Sequence, residues 1–116
     1  MLRTEENLRR EIRCEYRGGK GELDFLHLLE PSEYGNKGRL FARITLSAGG
    51  TLPYHTHNGD MEILYALEGQ ALLSEDGDTY LPFRAGDVSV VYSGSGHALR
   101  ALPDSSFVYL AVVLYV

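Results

Sequence analysis

The chain has 116 residues, with 16 acidic against 11 basic side chains, a net charge of −5 and 44% hydrophobic content. This length supports one core and leaves no room for a second, and the acidic balance argues against nucleic acid as a partner. No apolar run approaches the roughly 18 residues of a membrane helix, the first ten residues hold no apolar signal-peptide core, and the single cysteine, Cys14, has no internal disulfide partner. A cytoplasmic protein with no membrane association is therefore expected.

Residues 1–20 read as an N-terminal arm and 21–116 as a barrel domain. In the arm, Thr4-Glu5-Glu6 is an acidic helix start, with Leu8 and Ile12 four apart behind it. The competing pattern is a strand, with Ile12, Cys14 and Tyr16 alternating with Arg13 and Glu15. A short helix or frayed arm, then a strand, is the expectation. Beyond the arm, turn residues break the chain repeatedly, at 18–21, 35–38, 48–50, 58–60, 68–69, 76–78, 85–87, 94–96 and 103–105. The intervening segments are short and rich in Val, Ile, Leu, Tyr and Phe, which predicts an all-β sandwich or barrel. His27, in Leu26-His27-Leu28, reads as an ordinary strand or interface residue. Arg39 and Arg43 share a parity on the next strand; Arg43 reads as exposed, with contact to an anionic group as the alternative.

His55 and His57 are two apart, so in a strand both point to one face, their Cα atoms roughly 6.5 Å apart. Asn58-Gly59-Asp60 supplies turn chemistry that brings Glu62 back beside them, and His97 comes from a distant strand. Three imidazoles and a carboxylate at these spacings point to one metal ion inside a β-barrel. By parity, Pro53 faces in with the histidines while Tyr54 and Thr56 face out. Leu64 and Ala66 follow Glu62 inward, and Leu99 and Ala101 follow His97, which predicts a small, apolar pocket wall. The last segment, Phe107 to Val116, is apolar on both parities, the pattern of a strand buried on both faces. A partner subunit covering its outer face, and so a homodimer, is expected.

These residues resemble the cupin family. Gly49, His55, His57, Glu62 and Gly69 fit the first cupin motif, G-x5-H-x-H-x(3,4)-E-x6-G, at every spacing. Gly86, Gly94 and His97 fit the second, G-x5-P-x-G-x2-H-x3-N, with Tyr92 in place of Pro and Ala101 in place of Asn. The two motifs span residues 49–101. The resemblance implies a double-stranded β-helix, or jelly-roll, barrel with a short N-terminal arm or helix. It also implies that His55, His57, Glu62 and His97 ligate one divalent metal. The missing Asn removes a polar group from the expected cavity wall, and Tyr92 is placed at the barrel mouth.

A shell of three imidazoles and one carboxylate suits Mn, Fe, Ni, Zn or Cu. Four protein ligands on an octahedral ion leave two positions for water, dioxygen or a chelating substrate. Similar small cupins include dioxygenases, decarboxylases, isomerases and lyases, and some are labelled oxalate-decarboxylase-like. An oxalate-type site is expected to carry an Arg just before the first ligand histidine. Thr51-Leu52-Pro53-Tyr54 holds none, so oxalate chemistry is not carried over. The reading is a metal-dependent enzyme acting on a small oxygen-rich carboxylate or enol. The alternative is a non-catalytic metal or small-ligand binding or sensing module.

Overall fold

Ten strands carry the chain, and the structure, a computed structural model, describes all of residues 1–116. They are β1 (Arg9–Cys14), β2 (Glu22–His27), β3 (Gly38–Leu46), β4 (Thr51–Thr56), β5 (Asp60–Glu68), β6 (Gln70–Ser74), β7 (Tyr80–Arg84), β8 (Val88–Val91), β9 (Gly96–Ala101) and β10 (Phe107–Tyr115). Six form one sheet in the order β1-β2-β3-β10-β5-β8, and four form the other in the order β4-β9-β6-β7. Every pairing is antiparallel. There is no α-helix; 3-10 turns at Glu5–Asn7, Tyr16–Gly18 and Pro31–Tyr34 are the only helical elements. The all-β expectation therefore holds.

The arm is a short helical turn followed by a strand, as expected, although the turn is 3-10 rather than α. After one 3-10 turn the chain enters β1 at Arg9 and pairs along the whole of β2, Arg9 opposite His27 and Cys14 opposite Glu22. A single helical turn with no apolar surface to lie on is marginal in water, whereas pairing with β2 satisfies the backbone at once. His27 ends β2 away from the histidine cluster, stacked on Phe25 at 5.7 Å with Nε2 2.9 Å from Glu11 Oε1.

Strict alternation builds the core. Ala42, Ile44 and Leu46 of β3, Leu64 and Ala66 of β5, Leu99 and Ala101 of β9, and Phe107, Tyr109 and Ala111 of β10 all point between the sheets and are buried. The predicted inward positions on β5 and β9 are thus met. On β10 the opposite parity, Val108, Leu110, Val112 and Leu114, is half-buried on the outer face.

Two irregularities interrupt this alternation beside the histidines. Val113 pairs with Leu40 but Leu114 with Gly38, so Arg39 is an extra residue in β3. Leu52 pairs with Leu99 and His55 with His97, so Pro53 and Tyr54 together oppose Ala98. Both are β-bulges, which shift the side-chain parity of everything beyond them.

Phe107 is fully buried between Phe83 and Tyr109, each ring centroid 5.5 Å away. Phe107→Ala is expected to cost about 3–5 kcal/mol through lost burial and the cavity left behind. Urea unfolding checks this as a lower midpoint at unchanged slope.

Candidate metal centre

His55, His57, Glu62 and His97 converge between the two sheets, with their ligating atoms all within 4.8 Å of one another. His55 and His97 are direct cross-strand partners on β4 and β9, and their Nε2 atoms lie 3.1 Å apart. Glu62 enters from β5 in the other sheet, its Oε1 3.0 Å from His97 Nε2 and 3.2 Å from His57 Nε2. His57 follows the end of β4 and is held by the loop before β9. Its N–H donates to the Ser95 carbonyl, and its own carbonyl accepts from Gly94 N–H. Residues of the second motif therefore position a histidine of the first. Gly96 must be small, because a Cβ there would meet the His55 carbonyl at 2.5 Å and the Tyr54 ring at 2.6 Å.

The tautomers are set from behind. His55 Nδ1–H donates to the Pro53 carbonyl at 2.9 Å, which leaves Nε2 with a bare lone pair. His57 Nδ1–H donates to Asp60 Oδ1 at 2.8 Å, and Asp60 Oδ2 accepts from Arg39 Nε at 2.8 Å. His57 Nε2 is buried and makes no hydrogen bond of acceptable geometry, although it faces the cluster. Imidazole nitrogens and a carboxylate this close repel unless a proton or a cation lies among them. The donor set and the orphaned nitrogen thus fit one metal ion of the kind bound by nitrogen and oxygen ligands, and the carboxylate behind His57 is the usual support for a ligating imidazole.

The ionisation of the site follows from burial and its partners. Burial drives the His55 pKa down to about 4, with the positive fields of His97 and Arg17 adding to it. His57 is raised, first by Glu62 and then by Asp60. Burial pushes the Glu62 carboxyl up, but His57 and His97 together outweigh it and bring it to about 2. Asp60 is lowered by Arg39 and His57 against its own burial. Glu62 and Asp60 are therefore carboxylates at neutral pH, and His55 is a neutral imidazole ready to donate a lone pair.

Beside the cluster is a narrow cavity of about 40 Å³, walled by Tyr16, Phe25, Leu40, Leu52, Tyr109 and the two cations Arg17 and Arg39. By volume it takes a few water molecules or one small anion. Larger hollows of about 520 and 550 Å³ lie on the outer faces of the sheets, away from the four converging ligands.

The structure corrects several expectations. The wall is apolar as expected but not small, with Leu23, Leu40, Ile44 and Val113 beside Tyr16, Phe25 and Tyr109, and it gains two cations, Arg17 and Arg39; Leu64, Ala66, Leu99 and Ala101 are core residues beyond the cavity. Parity counting places Pro53 inside, but the bulge in β4 puts Leu52 there and leaves Pro53 half-buried. The bulge in β3 turns Arg39 toward the site. Arg43 points outward as read, 3.6 Å from Glu5. Tyr92 is 64% exposed and lines a separate surface hollow, not the cavity. Asp60, which reads in the sequence only as a turn residue, is 7% exposed and orients a histidine; its place three residues after His57 is the available signal.

Residues 42–113 match the Cupin_2 family, the cupin domain, and the chain belongs to that family. It is 39% identical over 98 residues to an oxalate-binding protein of Thermotoga maritima, an overlap of 84% of this chain and 80% of that one. It superposes with a TM-score of 0.92 and 34% identity, over the whole of both chains, on the crystal structure of a predicted oxalate decarboxylase from Thermotoga maritima. The polyketide cyclase RemF from Streptomyces resistomycificus shares the fold at 20% identity and a TM-score of 0.78, over 98% of this chain and 79% of that one.

His57→Ala should leave a folded barrel with little bound metal. Asp60→Asn should keep the metal but weaken it about 10- to 100-fold. Elemental analysis and competition with a chromophoric chelator check both.

Proposed function

We propose that His55, His57, Glu62 and His97 hold one divalent metal ion and that the site binds a small dicarboxylate of the oxalate class. The observation that carries this reading is the buried donor cluster, with His57 Nε2 unpartnered, opening onto a cavity small enough for a two-carbon anion and edged by Arg17 and Arg39. Absence of an Arg just before His55 argues against oxalate; cations arriving from β3 and from the turn before β2 remove that objection. The oxalate-binding protein of Thermotoga maritima, as a relative, supports the same ligand class. When bound, the ion supplies Lewis-acid polarisation and a positive charge for carboxylate oxygens. The protein's share is to hold four donors in place, exclude bulk water with Tyr16, Phe25 and Leu52, and accept the anion's charge.

Turnover of that ligand is the second reading, favoured by the likeness to the predicted oxalate decarboxylase. Oxalate dianion and one proton would yield one carbon dioxide and one formate. Tyr109, kept protonated by burial, and Tyr16 are the hydroxyls in the wall on hand to pass that proton.

Calorimetric titration of oxalate into metal-loaded and metal-free protein is the test. Binding only to the loaded form is expected; equal binding to both would remove the metal as anchor. Formate production in the same samples separates turnover from binding.

We also propose a homodimer formed through the outer face of the larger sheet, where Phe41, Ile63, Val112 and Leu114 are half-buried and apolar. Light scattering at micromolar concentration should give twice the 12.9 kDa chain mass; the chain mass itself would refute it.

A further inference from the structure

Part of the cavity wall comes from a segment outside both histidine motifs. Between β1 and β2 the chain makes its 3-10 turn at Tyr16–Gly18, and Tyr16 and Arg17 reach the cavity beside His55, His57 and Glu62. The backbone there is unusual. Glu15 (φ 51, ψ 39) and Arg17 (φ 55, ψ 28) are both left-handed, and with Asn36 they are the only non-glycine residues of the chain at positive φ. Residues bearing a Cβ are disfavoured in that region, and such strain clusters at functional sites.

The turn is firmly placed. Glu15 N–H donates to the Gly21 carbonyl, and Gly18 N–H to the Glu15 carbonyl, each at 3.0 Å. Gly19 presses so closely on β4 that a Cβ would lie 2.0 Å from the Thr51 carbonyl. Tyr16 packs edge-on to Phe25, with centroids 6.1 Å apart, and the Arg17 guanidinium carbon lies 5.5 Å from the Tyr16 centroid. The turn is thereby fixed to the strand that carries His55.

The two cations at the cavity differ in one respect. Arg39 is occupied by Asp60 at 2.8 Å. Arg17 is exposed and makes no ion pair and no side-chain hydrogen bond; its guanidinium meets only the Tyr16 ring, so no anionic group within the protein neutralises its charge. A glycine would hold the same backbone without strain.

We propose that Arg17 is the specificity-determining residue of this site, its guanidinium pairing with the second negative charge of a dicarboxylate whose first is met by the metal. The inference rests on the metal–dicarboxylate reading above. Charge balance supports it. Glu62 offsets one charge of a divalent ion, and Arg39 and Asp60 offset each other. Without Arg17 the site carries one net positive charge and suits a monocarboxylate equally well; Arg17 adds a second and matches a dianion. A guanidinium also presents paired donors that suit a carboxylate better than an ammonium does.

The test titrates oxalate and acetate into wild-type protein, Arg17→Asn and Arg17→Lys, each loaded with Mn(II), with metal content and Tm measured alongside. Asparagine tolerates the left-handed backbone, so Arg17→Asn should keep its metal and melt at or above the wild-type temperature. Its oxalate affinity should fall about 10- to 100-fold while acetate affinity stays unchanged, and Arg17→Lys should recover part of the loss. Undiminished oxalate binding by Arg17→Asn at equal metal content would overturn the proposal, as would an equal loss for oxalate and acetate, which would mean that the turn only shapes the cavity. If wild-type protein fails to bind oxalate in a metal-dependent way, the underlying reading falls with it, and that result is visible before any variant is compared.

Discussion

Four polar side chains meet where two apolar sheet faces would otherwise close on each other, and much of the surrounding structure answers to that fact. Burying imidazoles and a carboxylate together is costly unless each is paired or shares a cation. The protein meets the demand with a chain of contacts that leads outward. Glu62 faces His57 and His97, His57 is backed by Asp60, and Asp60 is backed by Arg39. The chain ends on a partly exposed arginine, so the network reaches solvent rather than stopping at an unpaired buried charge.

That arrangement depends on departures from regular sheet geometry. Regular alternation would place Leu52 and His55 on opposite faces of β4, yet both are needed inside, one for the core and one for the cluster. The two-for-one bulge at Pro53 and Tyr54 resolves the conflict and frees the Pro53 carbonyl to accept from His55. The bulge at Arg39 does the same on β3, letting Arg39 and Leu40 both line the cavity. Bulges re-aim side chains at functional sites, and here they let two sheets with apolar inner faces carry a polar centre.

Departures from the family motif fall where they do little harm to the cluster. Ala101, in place of Asn, is a buried core residue on β9. Tyr92, in place of Pro, sits in an exposed turn that Ser95 N–H closes on its carbonyl. Polarity missing from those positions is supplied from the other side of the cavity by Arg17 and Arg39, on elements that neither motif covers.

The sequence by itself determined the all-β class, the four converging residues and the buried parity of β5 and β9. Each of these rests on local regularities: a side-chain period of two, turn residues at short intervals, and motif spacings that vary by at most one residue. Tertiary structure decided the rest of the site. A bulge leaves no mark in an apolar–polar pattern, so counting parity back from His55 places Pro53 where Leu52 lies. Asp60 satisfies a turn reading completely, and only the fold shows its carboxylate between His57 and Arg39. Arg17 is 38 positions before His55; it reaches the cavity because β1 and β2 pair and fold their connecting turn onto β4, a contact made by hydrogen bonds between Lys20 and Thr51 and by the close approach of Gly19, and a glycine in a turn does not announce which distant strand it will meet.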